Sequence, residues 1–191
     1  MKLSLVVEQL RANCAVFEGR VGGAAEFKPL PDVAKLAVPA AYVIPLHDTT
    51  GEQKSQTDYW QEVTDGFSVV VALNNQPDER GQTASFDAYH QIRAFLFKTL
   101  LGWQPGEEYT FGIEYGGGVL LDMNRALLYY KYDFYATFEL GEEDTWQWED
   151  LKNLPWLKTV HVDVDLIDPS NGPDGNIEFQ SDIKLKTPDE D

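Results

Sequence analysis

The chain has 191 residues, 43% hydrophobic and 13% aromatic, enough for one good-sized domain or a domain with an appendage. Its net charge of −17 argues against gripping nucleic acid. No apolar run nears the ~20 residues of a membrane helix. Glu8 comes too early for a signal peptide, and the single cysteine, Cys14, excludes an internal disulfide and fits a reducing compartment.

Residues 3–13 read as a short helix with Leu3, Val6, Val7 and Leu10 on one side. Gly19-Arg20-Val21-Gly22-Gly23 breaks it. Residues 24–37 are mixed, with Pro29 and Pro31 and a helical turn expected at 33–36. Residues 40–46 read as a strand, and Pro45 puts it at an edge or ends it early. Residues 47–55 are polar and read as a loop. Residues 56–64 form a second candidate strand with neither face cleanly apolar. Asp65-Gly66 then leads into Phe67-Ser68-Val69-Val70-Val71-Ala72-Leu73, a β-branched run that reads as a buried strand. Asp-Gly is a hairpin signal, but one long strand kinked at the glycine and projecting from the core is the preferred reading.

Residues 74–81 carry the Asn, Pro and Gly of a loop. The clearest helix follows at 83–101. Tyr89, Ile92, Leu96 and Leu100 share one face, which Phe86 and Phe95 are expected to widen. Thr83 or Ser85 is the expected cap, Asp87 and Lys98 match the helix dipole, and Gly102 ends the helix. A strand, a loop and a helix with this stripe make the nucleus of a two-layer domain.

Trp103-Gln104-Pro105-Gly106 is a turn. Residues 109–121 contain Gly116-Gly117-Gly118. A phosphate loop needs a following Lys-Ser or Lys-Thr and a helix, and neither is present. A bend between short strands is the reading. After a turn at 122–125, residues 126–140 form an aromatic strand. Leu128, Tyr130, Tyr132 and Phe134 alternate with Tyr129, Lys131, Asp133 and Tyr135. Large rings on both sides predict that the core helix covers one side and a partner the other. Trp60, Tyr130, Tyr132 and Phe134 are therefore the expected oligomer or tube contacts.

The chain changes character at Gly141. Residues 1–140 read as the folded domain and 141–191 as an acidic, Trp-containing extension. Residues 139–191 hold fifteen acids and four bases, a net of −11, against −6 for residues 1–138. One edge strand is expected at 159–167, with Val160, Val162, Val164 and Leu166 inward. A turn-rich loop at 168–176 and a loosely ordered end follow.

His47, His90 and His161 lack metal-ligand spacing. No Gly-x-Ser-x-Gly elbow exists, and Cys14 has no evident histidine partner. Asp163, Asp165, Asp168, Asn171 and Asp174 are oxygen-rich but miss the EF-hand pattern. No catalytic residue, cofactor or metal is expected.

Several segments recur in a recognisable order. They are Gly19-Arg20-Val21-Gly22-Gly23-Ala24-Ala25-Glu26 and Val38-Pro39-Ala40-Ala41-Tyr42-Val43-Ile44-Pro45-Leu46, then the strand at 67–73, Arg80-Gly81 and Leu100-Leu101-Gly102-Trp103-Gln104-Pro105. Tyr115-Gly116-Gly117-Gly118, Leu128-Tyr129-Tyr130 with Asp133-Phe134, Val162-Asp163-Val164-Asp165-Leu166-Ile167-Asp168-Pro169 and Gly172-Pro173-Asp174-Gly175 complete the series. Together they resemble the tail terminator proteins of long-tailed bacteriophages, with Tyr129-Tyr130 standing where tryptophans are expected. The resemblance implies an α+β fold: a mixed, mostly antiparallel sheet packed on a central helix and a short N-terminal helix. It also implies a homohexameric ring at the head-proximal end of the tail tube in the virion, assembled in the host cytoplasm. Such a ring stops tube polymerisation and meets the head-tail connector protein, while DNA passes through its pore without specific binding. The alternative is a monomeric accessory or chaperone-like protein that holds a partner with its Trp-rich C-terminal part.

Overall fold

The computed structural model describes residues 1–27, 37–75, 85–165 and 175–186. The chain separates into two compact units, Met1–Asp144 and Thr145–Asp191.

The first unit is α+β, as expected. Helix α1 spans Leu3–Asn13, and helix α2 spans Ser85–Leu100. The strands are β1 (Val21–Gly23), β2 (Ala40–Pro45), β3 (Thr49–Thr50), β4 (Gln61–Asn74), β5 (Glu114–Met123) and β6 (Leu127–Leu140). They form one sheet in the order β1-β2-β4-β6-β5, with β3 paired to β4 beyond the end of β2. Among the described residues only β1–β2 is parallel in this sheet.

Both helices pack on one face of this sheet. Val6 and Leu10 of α1 and Ile92, Leu96 and Leu100 of α2 share a buried cluster with Phe67, Val69 and Val71 of β4. The three α2 residues are four apart, so they stack one turn above the next. Gln9 Nε2 donates to the Thr99 carbonyl at 3.1 Å and ties the helices together. Gly102, at φ +77°, ends α2 in the left-handed conformation that favours glycine.

The structure corrects several expectations. Phe95 does not widen the core stripe but is 46% exposed. The cap expected from Thr83 or Ser85, the side chain of Phe86 and the turn at 33–36 lie outside the described residues. Val21–Gly23 is a strand, not only a helix break: it lies parallel to Ala41–Val43. Strand β2 is not an edge strand, because β1 flanks it, though it does end at Pro45.

The kinked-strand reading matches the fold, since β4 runs unbroken through Gly66 and no hairpin forms at Asp65-Gly66. It starts at Gln61, not at residue 56, and pairs with β6 along its whole length. The glycine triple does not separate two short strands: β5 is one strand with bulges between Tyr115 and Gly117 and between Leu120 and Asp122.

The second unit holds helix α3 (Trp146–Lys152) and an antiparallel ribbon of β7 (Thr159–Val164) and β8 (Phe179–Lys184). Thr145 caps α3, its hydroxyl accepting from the Trp148 amide at 3.4 Å. Neither α3 nor β8 was expected from the sequence. Loop residues 166–174 and the end from 187 lie outside the described residues, so the placement of Leu166 stays an expectation.

Candidate assembly surfaces

The register of β4 on β6 decides which rings are buried. Phe67 lies opposite Phe134, Val69 opposite Tyr132 and Val71 opposite Tyr130, so all six side chains point to the helix side. Tyr132 and Phe134 have no exposed surface. The Tyr132 hydroxyl donates to the Tyr89 carbonyl of α2 at 2.5 Å, and burial pushes its pKa up. Phe134 stacks on Phe67 with ring centres 5.5 Å apart. The expectation of partner contact is corrected for these two residues, because α2 and β4 already occupy the surface a partner would need.

Tyr130 and Trp60 are placed differently. Tyr130 is half-buried, stacked on Tyr89 at 5.1 Å. Trp60 precedes β4 and is 45% exposed, with the Lys54 ammonium 4.9 Å from its ring centre. It is the most open of the four expected contacts.

The opposite sheet face splits in two. At one end Ala40, Tyr42, Val70, Ala72, Leu127 and Tyr129 form a second small core. Phe27 meets Tyr42 and Tyr129 edge-on, at 5.4 and 6.1 Å. The other end is polar: Ser68 donates to Asp133 at 2.6 Å, Lys131 pairs with Asp133 at 3.0 Å, and Thr64 bonds Thr137 at 2.9 Å. The chain thus covers the Tyr129 side of β6 in part by itself.

Tyr135 explains two glycines. A Cβ on Gly66 would sit 3.1 Å from Tyr135 Cε1, and one on Gly116 would sit 2.0 Å from Cε2. The ring lies over both neighbouring strands: at Gly116 only glycine leaves it room, while at Gly66 a side chain would be crowded by the ring, Leu46 and the His47 carbonyl together. Gly117, at φ +143°, forms the adjoining bulge.

Sequence reasoning missed the β5 edge. This strand has β6 on one side only, and Val119, Leu120, Leu121 and Met123 are 43–57% exposed. A ten-residue edge with exposed aliphatics is a surface that isolated proteins normally blunt with charge.

The residues weighed for chemistry do not converge. His47 is exposed in a loop, and His90 bonds Arg93 on α2 at 2.8 Å. His161 lies between Asp182 and Asp163 in the ribbon. Its hydrogen bond to Asp182 first, then the Asp163 charge, hold its pKa above the ordinary value. Cys14 is buried at the end of α1, and burial pushes its thiol up. Tyr109 donates to Asp65 at 2.8 Å, and the Met1 amino group meets the same carboxylate. Among the described residues no group of three His, Cys, Asp or Glu is placed to hold a metal ion. Of the oxygen-rich series, Asp163 and Asp165 are described, with the Gly175 amide on Asp165 at 3.0 Å, while Asp168, Asn171 and Asp174 lie outside the described residues. Among the described residues no helix is long and apolar enough to cross a membrane.

The geometry defines an α+β unit with an open sheet edge that exposes aliphatic side chains, and a second unit that exposes tryptophans. The chain belongs to the phage tail terminator protein family, whose family model matches residues 1–145. It is therefore a structural protein of the phage virion, in the tail. A search of curated proteins finds no match. Among solved structures, a chain of the virion of a native gene transfer agent particle is similar at 17% identity and a TM-score of 0.45, over 73% of this chain and 95% of that one.

Proposed function

We propose that six copies of this chain form a ring on the head-proximal end of the tail tube. The ring stops tube polymerisation and presents a surface to the head-tail connector protein. DNA passes through its pore without specific binding. Subunits assemble in the host cytoplasm. The observation that carries this reading is the family match, which spans the whole first unit. The fold adds a physical route to closure. An open β5 edge on each copy favours a head-to-tail contact with the next, and such contacts close into rings when the rotation allows. We assign Trp60 and Tyr130 to the subunit or tube contact, together with the β5 aliphatics.

The test is tail length. Phage lacking this chain should make tubes well beyond normal length, and Trp60→Glu should do the same while leaving a folded subunit. Normal tails from both would overturn the proposal. A mass near six times 21.6 kDa, about 130 kDa, is expected on the tube. A single copy there would favour the accessory-protein alternative.

A further inference from the structure

The second unit, Thr145–Asp191, falls almost wholly beyond the family match, which ends at residue 145. None of its described residues is buried. Trp146 is 76% exposed and Trp156 65% exposed. In the ribbon, Val164 lies opposite Phe179 and Val160 opposite Ile183, so one face is apolar. His161, Asp163 and Asp182 belong to the other face, and Phe179 and Ile183 remain about half exposed. A lone two-stranded ribbon is marginal in water, and a 47-residue unit whose described residues form no buried core falls near the size at which chains need outside support. Exposed tryptophans beside charge are the composition of an interface centre, not of a solvated surface.

Charge selects the occupant. The unit carries eleven acids and four bases, a net of −7. A second copy would bring −7 against −7, and anionic lipid or nucleic acid would be repelled as well. We propose that this unit is a docking module for a different virion protein, one whose surface is apolar at its centre and rimmed by Lys and Arg. The partner's place in the virion rests on the proposed function above; the surface itself does not.

Zero-length carbodiimide coupling in purified particles tests this directly, because it joins carboxylates only to amines in contact. Asp150, beside the exposed Trp146 and Trp148 on α3, should couple to lysines of a different polypeptide. In particles carrying the full chain with Trp156→Glu, that product should fall on the order of tenfold or more. The substitution lies outside the first unit, whose melting should not change. Coupling only to lysines of another copy of this chain would overturn the proposal. So would a pattern in particles identical to that of the free protein. Copy-to-copy couplings within residues 1–144 report separately on the ring.

Discussion

Replacing Leu96 by Ala removes three carbon groups from a side chain with no exposed surface, between α2 and the centre of the sheet. At about 0.8 kcal/mol per buried CH2, the lost transfer term is about 2.4 kcal/mol. The two helices and β4 hold the site from several sides, so collapse into the gap will be partial. A residual void of about 50 Å3, at roughly 24 cal/mol per Å3, adds about 1.2 kcal/mol. The expected loss is therefore about 3.6 kcal/mol, inside the usual ~2–5 kcal/mol for this change. At roughly 2–4 °C per kcal/mol for a chain of this size, the melting temperature should fall by about 10 °C. Circular dichroism is the suitable signal, because three of the five tryptophans lie in the second unit. Phe95→Ala is the control: one residue away on the same helix, it is 46% exposed and should cost well under half as much. Equal losses from the two variants would refute the assignment of the buried face.

Truncation after Asp144 should leave the first unit folded with its melting temperature nearly unchanged, since both buried clusters lie wholly within it; outright unfolding, seen by circular dichroism, would refute this. Cys14 should react with a thiol reagent far more slowly in the native protein than in denaturant, because burial both hides the thiol and disfavours the thiolate. His161 should titrate above its ordinary value of about 6.5, and Asp182→Asn should bring it down, as read by NMR. The sign follows: the raised folded value stabilises the ribbon below the unfolded-state value, and that contribution is lost as pH rises through the folded value. Ribbon amides, corrected for intrinsic exchange, should then be better protected at about pH 5.5 than at about pH 8.5. Six copies would carry six times −17, about −100, so a mobility-shift assay at physiological salt should show no DNA binding; a clear shift that weakens with added salt would reveal a basic surface.

Helices α1 and α2 were legible because their apolar positions recur at helical spacing, and α1 begins and ends where that spacing does. Strands β4 and β6 were legible from their length and β-branched or aromatic content. Strand β1 was not, for a physical reason. Val21-Gly22-Gly23 has no pattern of its own, and its pairing is imposed by β2, roughly twenty residues on. Strand β8 alternates only weakly, with Ser181 between Phe179 and Ile183, and β7 supplies the pairing that makes it a strand. Strand β5 looked like two pieces because a glycine triple is locally a breaker. The missing information was what lies against the triple: the Tyr135 ring fills the space at Gly116, and Tyr115 and Tyr130 crowd Gly118.

The misplaced contacts have a common origin. A period of two shows which side chains share a face, not what covers that face. Leu128, Tyr130, Tyr132 and Phe134 obey one alternation, yet Tyr130 is half-open and its two neighbours on the face beyond it, Tyr132 and Phe134, are closed. What closes them is the position of β6 inside the strand order, with β4 on one side, β5 on the other and α2 above. Val119, Leu120 and Leu121 are just as apolar, and they stay exposed because β5 is last in that order. Core and interface therefore differ here by strand order, a non-local property set by the whole fold. Within the first unit the order leaves β1 and β5 at the edges, and of the two it is β5 that carries exposed aliphatics; Trp60, just ahead of β4, is exposed as well.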